Sequence, residues 1–144
     1  ASLIPAAAEQ FGSQCVVASI DARHPSGEWR VYTRGGRTPT TLDALAWARE
    51  CADRGAGEIL LTSIDRDGAR SGFDVALTRA VSDAVPVPVI ASGGAGTPAH
   101  IVEILDTGAA DAALVAGIVH DGDVTLRQIK EAVFAHGLPV RQVA

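Results

Sequence analysis

Apolar residues fall along this chain in short continuous runs, separated by longer stretches of helical spacing. Four runs stand out: Cys15–Ile20 (CVVASI), Glu58–Ile64 (EILLTSI), Val87–Ala91 (VPVIA) and Ala112–Ala116 (AALVA). They are apolar on successive positions rather than alternate ones, the pattern of parallel strands covered on both faces. Pro88 fits only at a strand start, where its missing N–H is tolerated.

Four helical patterns lie between and after the runs. Leu42–Arg54 places Leu42, Leu45, Ala46, Ala48 and Ala52 near helical spacing and stops at Gly55. Asp74–Val85 carries Val75, Leu77, Ala80, Val81 and Ala84. Pro98–Thr107 takes Thr97 as N-cap, Pro98 in its first turn and Gly108 as its end. Val124–His136 shows Leu126, Ile129, Val133 and Phe134 and ends at Gly137. The opening "ASLIPAAAEQFGSQ" reads as the tail of a helix. After the first strand, "SGEWRVYTRGG" reads as a hairpin-like excursion over Glu28–Thr33, followed by a loop, Arg34–Thr40.

Repeated strand–helix units predict a parallel sheet. Four of them match half of a (β/α)8 barrel, whose usual length is about 250 residues. Four strands cannot close a barrel, and an open four-stranded sheet leaves two bare edges. Three arrangements are compatible: a segment of a longer protein, a half-barrel that pairs with a copy of itself, or a small open α/β fold. The helix-tail opening favours the first. In each, residues 1–144 form a single unit.

Composition narrows the function classes. The 144 residues are 47% hydrophobic and 20% charged, enough for a packed core, and 15 Gly with seven Pro suit short, tight connections. A net charge of −5 without a basic cluster argues against nucleic acid as a partner and leaves phosphorylated metabolites bound at local sites. No apolar run reaches the roughly 18 residues of a membrane span, and no signal-peptide pattern opens the chain, so a cytoplasmic location is expected. Cys15 and Cys51 lack CxxC or zinc spacing and read as reduced, buried thiols of a strand and a helix. His24, His100, His120 and His136 have no metal-ligand spacing and read as surface or capping residues; neither metal nor other cofactor is expected.

Ligands of α/β proteins bind beyond the C-terminal ends of the strands. Asp21 stands after the first run, Asp65, Asp67 and Gly68 after the second, "SGGAG" (Ser92–Gly96) after the third, and Ala116 with Gly117 after the fourth. Glycines followed by a helix start let backbone N–H groups approach an anion. A tight packing turn needs the same residues, but the second small pair after the next strand tips the reading to phosphate. Asp21 is open between a structural role, capping a loop or pairing with Arg23, and a general acid–base role facing the mouth. If strand geometry continues, Asp65 and Asp67 face one side and Arg66 the other, toward the helices.

The strings "FGSQCVVASIDAR", "RGAGEILLTSIDRDGARSGFD", "VPVIASGGAG" and "GAADAALVAGIVHDGDVTLRQIKEAVFAHGLPVR" resemble the C-terminal half of the cyclase subunit of imidazole glycerol phosphate synthase, over essentially the whole chain. The related isomerase of the same pathway is less similar in "LLTSIDRDG" and "SGGAG". The resemblance implies a (β/α)8 barrel, here its strands five to eight. It implies a doubly phosphorylated substrate and a glutaminase partner that supplies ammonia. Asp21 matches the second of the family's two acid–base aspartates; the first belongs to a half not present here. Asp67, Gly68, Gly94, Ala116 and Gly117 match its C-terminal phosphate site, with Gly117 in place of a frequent serine. "TRGGRT" matches its mobile loop, with Gly35 and Gly36 as hinges. The implied partners are the complementary half-barrel or a second copy of the chain.

Overall fold

The computed structural model describes residues 3–141. The chain enters on helix α1 (Leu3–Phe11), makes a 3-10 turn at Ser13–Cys15 and starts strand β1 (Val17–Arg23). The excursion is an antiparallel hairpin of β2 (Arg30–Thr33) and β3 (Thr38–Asp43). Then follow α2 (Ala44–Asp53), β4 (Glu58–Ser63), α3 (Val75–Ser82) and β5 (Val89–Ser92). The last elements are α4 (Pro98–Asp106), β6 (Ala112–Ala113), the short α5 (Gly117–His120) and α6 (Leu126–Ala135). All six strands form one sheet in the order β3-β2-β1-β4-β5-β6. Strands β1, β4, β5 and β6 run parallel, and the hairpin is added antiparallel on the outer side of β1.

Local chemistry explains where the helices begin. Asp43 accepts a hydrogen bond from the Ala46 N–H, and Asp74 accepts one from the Leu77 N–H. Thr125 and Gln128 exchange bonds as a capping box. Each satisfies a backbone donor that has no partner inside its helix. Thr97 holds the N-cap position of α4 in extended backbone but makes no side-chain capping bond, and Pro98 follows it without an N–H to cap.

The helices pack on one face of the sheet. Ala18, Ile20 and Ala22 of β1, Ile59 and Leu61 of β4 and Val89 of β5 are buried against Ala44, Ala48 and Cys51 of α2 and Leu77 and Val81 of α3. A second cluster lies under the end of β5, where Ala91 meets Ile101 and Ile104 of α4, Ile118 of α5 and Ile129 and Val133 of α6. Burying a Leu or Ile side chain stabilises the fold by about 1.5–3 kcal/mol, so these clusters hold the loops above them.

The opposite face corrects the expectation of strands covered on both sides. Burial alternates along β1, β4 and β5, and Val17 and Leu114 are 48% and 41% exposed. The apolar residues on successive positions are real, but only every second one is covered by this chain's helices. Strand bounds shift as well. Cys15 lies in the 3-10 turn and is exposed, contrary to its expected burial, whereas Cys51 is buried in α2 as expected. The turn is held where Gly57 N–H and Glu58 N–H both bond the Val16 carbonyl. Strand β1 therefore starts two residues later than expected and contains Asp21 rather than ending before it. Strand β5 starts at Val89, beyond Pro88. The fourth run is a strand only over Ala112–Ala113, and Leu42 belongs to β3 rather than to α2. The expected loop Arg34–Thr40 is shorter, because β3 already begins at Thr38. Among the described residues no helix is long and apolar enough to cross a membrane.

Candidate functional site

The loops that follow β4, β5 and β6 converge on a cavity of about 250 Å³. Asp67, Gly68 and Arg70 line it from the first loop, Ser92 to Ala95 from the second, and Leu114, Ala116 and Gly117 from the third. All five residues expected at a phosphate site are thus brought together.

The loop after β4 is a turn, not an extension of the strand. The N–H groups of Arg66 and Asp67 both donate to the Ser63 carbonyl, at 3.2 and 2.9 Å. The expectation that Asp65 and Asp67 share a face, with Arg66 turned toward the helices, therefore fails. Arg66 is exposed, and its Nη1 donates to Ser71 Oγ at 3.2 Å. Ser63 is buried and donates its hydroxyl to Asp74 Oδ2 at 3.2 Å, which ties the strand end to the cap of α3.

The glycine-rich loop is locked against this turn. Gly72 N–H donates to Gly94 O at 2.9 Å. A Cβ on Gly94 would lie 2.1 Å from Gly72 O, and the Gly94 φ of 106° is one that side chains avoid, so only glycine fits. His100, read as a surface or capping residue, does cap: its Nδ1 accepts the Gly96 N–H at 3.1 Å. That donor is spent within the loop. Asp67 N–H is spent too, on Ser63 O. Among the described residues the N–H groups of Gly68, Gly94, Ala116 and Gly117 have no protein acceptor. They belong to residues that line the cavity, and free backbone donors so grouped suit an oxyanion.

Asp21 stands apart from the cavity. It sits in β1, half-buried, in register with Tyr32 of the hairpin and Thr62 of β4. Two strand spacings, about 10 Å, separate β1 from β5. Its carboxylate has no hydrogen-bond or ion-pair partner among the described residues. The alternative pairing of Asp21 with Arg23 does not form. Arg23 Nε instead donates to Asp65 Oδ1 at 2.9 Å, and the His24 N–H donates to Asp65 Oδ2 at 2.8 Å. Partial burial pushes the Asp65 carboxyl up, but these two hydrogen bonds and the Arg23 charge outweigh it and hold the group below the usual carboxylate range. Asp65 is thus a clasp that joins the end of β1 to the loop after β4.

Gly35 and Gly36 form the hairpin tip. Arg34, Gly35 and Gly36 all have positive φ, and a Cβ on Gly36 would lie 3.2 Å from Ile64 Cδ1, so the tip folds back onto the end of β4. His136 lies at the end of α6, as expected, with its Nε2 3.4 Å from Asp106 Oδ2. Among the described residues no three His, Cys, Asp or Glu side chains are grouped to hold a metal ion. Two residues escaped sequence reasoning. Arg70 lines the cavity and bonds Asp121 and Asp123; a basic residue inside an anion-binding loop was the available signal. Asp111 accepts the Val89 N–H at 2.9 Å and so pins the start of β6 beside β5.

Residues 1–125 match the family model described as "Histidine biosynthesis protein". The chain belongs to the histidine biosynthesis protein family. This is a family of (β/α)8 barrels, and the one-sided sheet of four parallel strands is consistent with half of one. A relative from Myxococcus xanthus (strain DK1622), named imidazole glycerol phosphate synthase subunit HisF, is 65% identical over 142 residues, 99% of this chain and 56% of the relative. The chain thus spans about half the length of that relative.

Proposed function

We propose that this chain is the half-barrel of strands five to eight in a cyclase subunit of imidazole glycerol phosphate synthase. The carrying observation is the cavity ringed by unpartnered N–H groups, with Asp21 outside it at the same end of the sheet, on a strand two positions from β5. That separation suits an elongated substrate held by a phosphate at one end and processed at a distance. The name and 65% identity of the Myxococcus xanthus relative support the same reading.

In this reading a glutaminase subunit delivers ammonia to the barrel. The ammonia reacts with the phosphoribulosyl-formimino aminoimidazole carboxamide nucleotide. Ring closure and cleavage yield imidazole glycerol phosphate and an aminoimidazole carboxamide ribonucleotide. The cradle of Asp67, Gly68, Gly94, Ala116 and Gly117 holds one phosphate, and Asp21 moves protons during ring closure and cleavage. The hairpin tip at Gly35 and Gly36 acts as a mobile cover. The complementary half-barrel supplies the other aspartate and the other cradle, and covers the open face of the sheet. The assembled enzyme works in the cytoplasm. Refolding this chain with that half and assaying ammonia-dependent product formation tests the reading. Turnover by the pair and little by the chain alone is expected; a folded pair that forms no product overturns it.

The open face favours a second reading, a non-catalytic half-barrel that self-associates. Leu60 and Ile90 lie on it between the exposed Val17 and Leu114. Sedimentation separates the two: a dimer that binds phosphate but never gains turnover from the complementary half supports the second. Assaying the restored barrel with the substrate of the related isomerase separates that activity.

A further inference from the structure

We propose that Arg70 is the cationic ligand of the cradle and supplies the side-chain donor that Gly117 lacks. This rests on reading the cavity as a phosphate site.

The position of Arg70 is imposed by packing. Its backbone takes a left-handed φ of 55°, uncommon for a side chain of this size. The neighbouring glycine makes room for it, because a Cβ on Gly96 would lie 2.1 Å from Arg70 O. From there the side chain spans the mouth of the cavity to the far loop. Nη1 bonds Asp123 Oδ2 at 2.8 Å, and Nη2 bonds Asp121 Oδ2. On the way it passes Gly117: a Cβ there would lie 3.7 Å from Nη2. The guanidinium therefore lies within ordinary contact distance of a side chain at 117.

Charge around the guanidinium is mixed: Arg70 is the one cation of the cavity lining, while Asp121 and Asp123 meet it from the far loop. The cavity is lined by one carboxylate, Asp67, and by neutral residues apart from Arg70. A phosphomonoester brings up to two negative charges, and unpaired backbone donors alone leave them beside Asp67. A guanidinium has five N–H donors, of which two are engaged by the aspartates. The rest remain for an anion. Asp121 and Asp123 hold the side chain extended before the ligand arrives, so little rotamer freedom is lost on binding.

The test is titration of the full chain with inorganic phosphate by calorimetry. Charge-assisted hydrogen bonds imply that Arg70→Gln weakens binding about tenfold and Arg70→Lys by less than about threefold. Arg70→Gln should also flatten the loss of affinity with added salt, because a screened charge has been removed. The Gly117→Ser change introduces a hydroxyl at ordinary contact distance; in the Arg70→Gln background it should restore much of the lost affinity. Circular dichroism melting confirms that each variant is folded. Arg70→Gln binding as tightly as the parent overturns the inference, and so does weaker binding with an unchanged salt dependence, which marks a structural role only. Failure of the parent to bind phosphate overturns the cradle reading itself, a different result from either.

Discussion

The cradle above β5 and β6 and the Asp21 region of β1 lie at the same end of one sheet but are made of different material. The cradle is backbone. Its donors are amide groups, and its shape depends on a glycine packed 2.1 Å, for an added Cβ, from a neighbouring carbonyl. The Asp21 region is side chain. It offers one carboxylate on a regular strand, flanked by paired residues on both sides. The first can be broken by shape, because no side chain fits. The second can be broken only by chemistry, because an isosteric change leaves the strand as it was. The proposed binding role and the proposed proton-transfer role are thus separable by mutation.

Four experiments sharpen or break that contrast. Gly94→Val should have the largest effect: phosphate binding lost and stability lowered by roughly 3 kcal/mol or more, from a clash combined with a disfavoured φ. Urea unfolding and phosphate titration measure both, and a stable variant that binds would refute the shape argument. Asp21→Asn, in the reassembled barrel, should lower turnover by about 100-fold or more while phosphate affinity stays within about twofold. Equal loss of binding and turnover would mean that the two regions are one. Asp74→Ala removes the cap of α3 and the acceptor of the buried Ser63 hydroxyl, so a loss of about 1–2 kcal/mol is expected in thermal or urea unfolding. Thr125→Ala, at the exposed cap of α6, should cost less than Asp74→Ala in the same assay.

The smallest effect concerns Asp65. Its folded-state carboxyl is held below the ordinary value, so its stabilisation is fully present above about pH 4, the unfolded value, and is lost as pH falls through the lower folded one. Both partners are partly exposed, at 49% and 37%, so the contribution is under about 1 kcal/mol. Urea midpoints of the parent and Asp65→Asn should differ at pH 7 and converge near pH 2–3. A difference that persists in acid would place the effect elsewhere.

Much of the fold was legible because parallel strand–helix units leave local marks. Runs of Val, Ile and Leu and the stop glycines Gly55, Gly108 and Gly137 act within a few residues, whereas Thr97, the cap read from the sequence, makes no side-chain capping bond. That Gly94, Ala116 and Gly117 line one cavity was legible for the same reason, since each lies within four residues of its strand end. Contacts between distant residues were hidden. Nothing near Asp65 announces that its partners are Arg23 and the His24 N–H, more than forty positions away. The same holds for Arg70 and its aspartates. One-sided burial was hidden for another reason: Leu60 and Ile90 are as apolar as Ile59 and Leu61, so hydropathy alone cannot say which face a chain covers itself.

The hairpin beside β1 has a consequence for assembly. It bonds β1 only at Asp21, Ala22 and Arg23, opposite Tyr32, Val31 and Arg30. The lower half of that edge, Val17 to Ile20, pairs with no strand on its outer side among the described residues. Any strand that adds there meets β2 where the hairpin pairing begins. The hairpin is therefore a mechanical stop: an incoming strand cannot slide toward the cavity end of the sheet, and its phase along β1 is set before a single side chain across the new seam has packed.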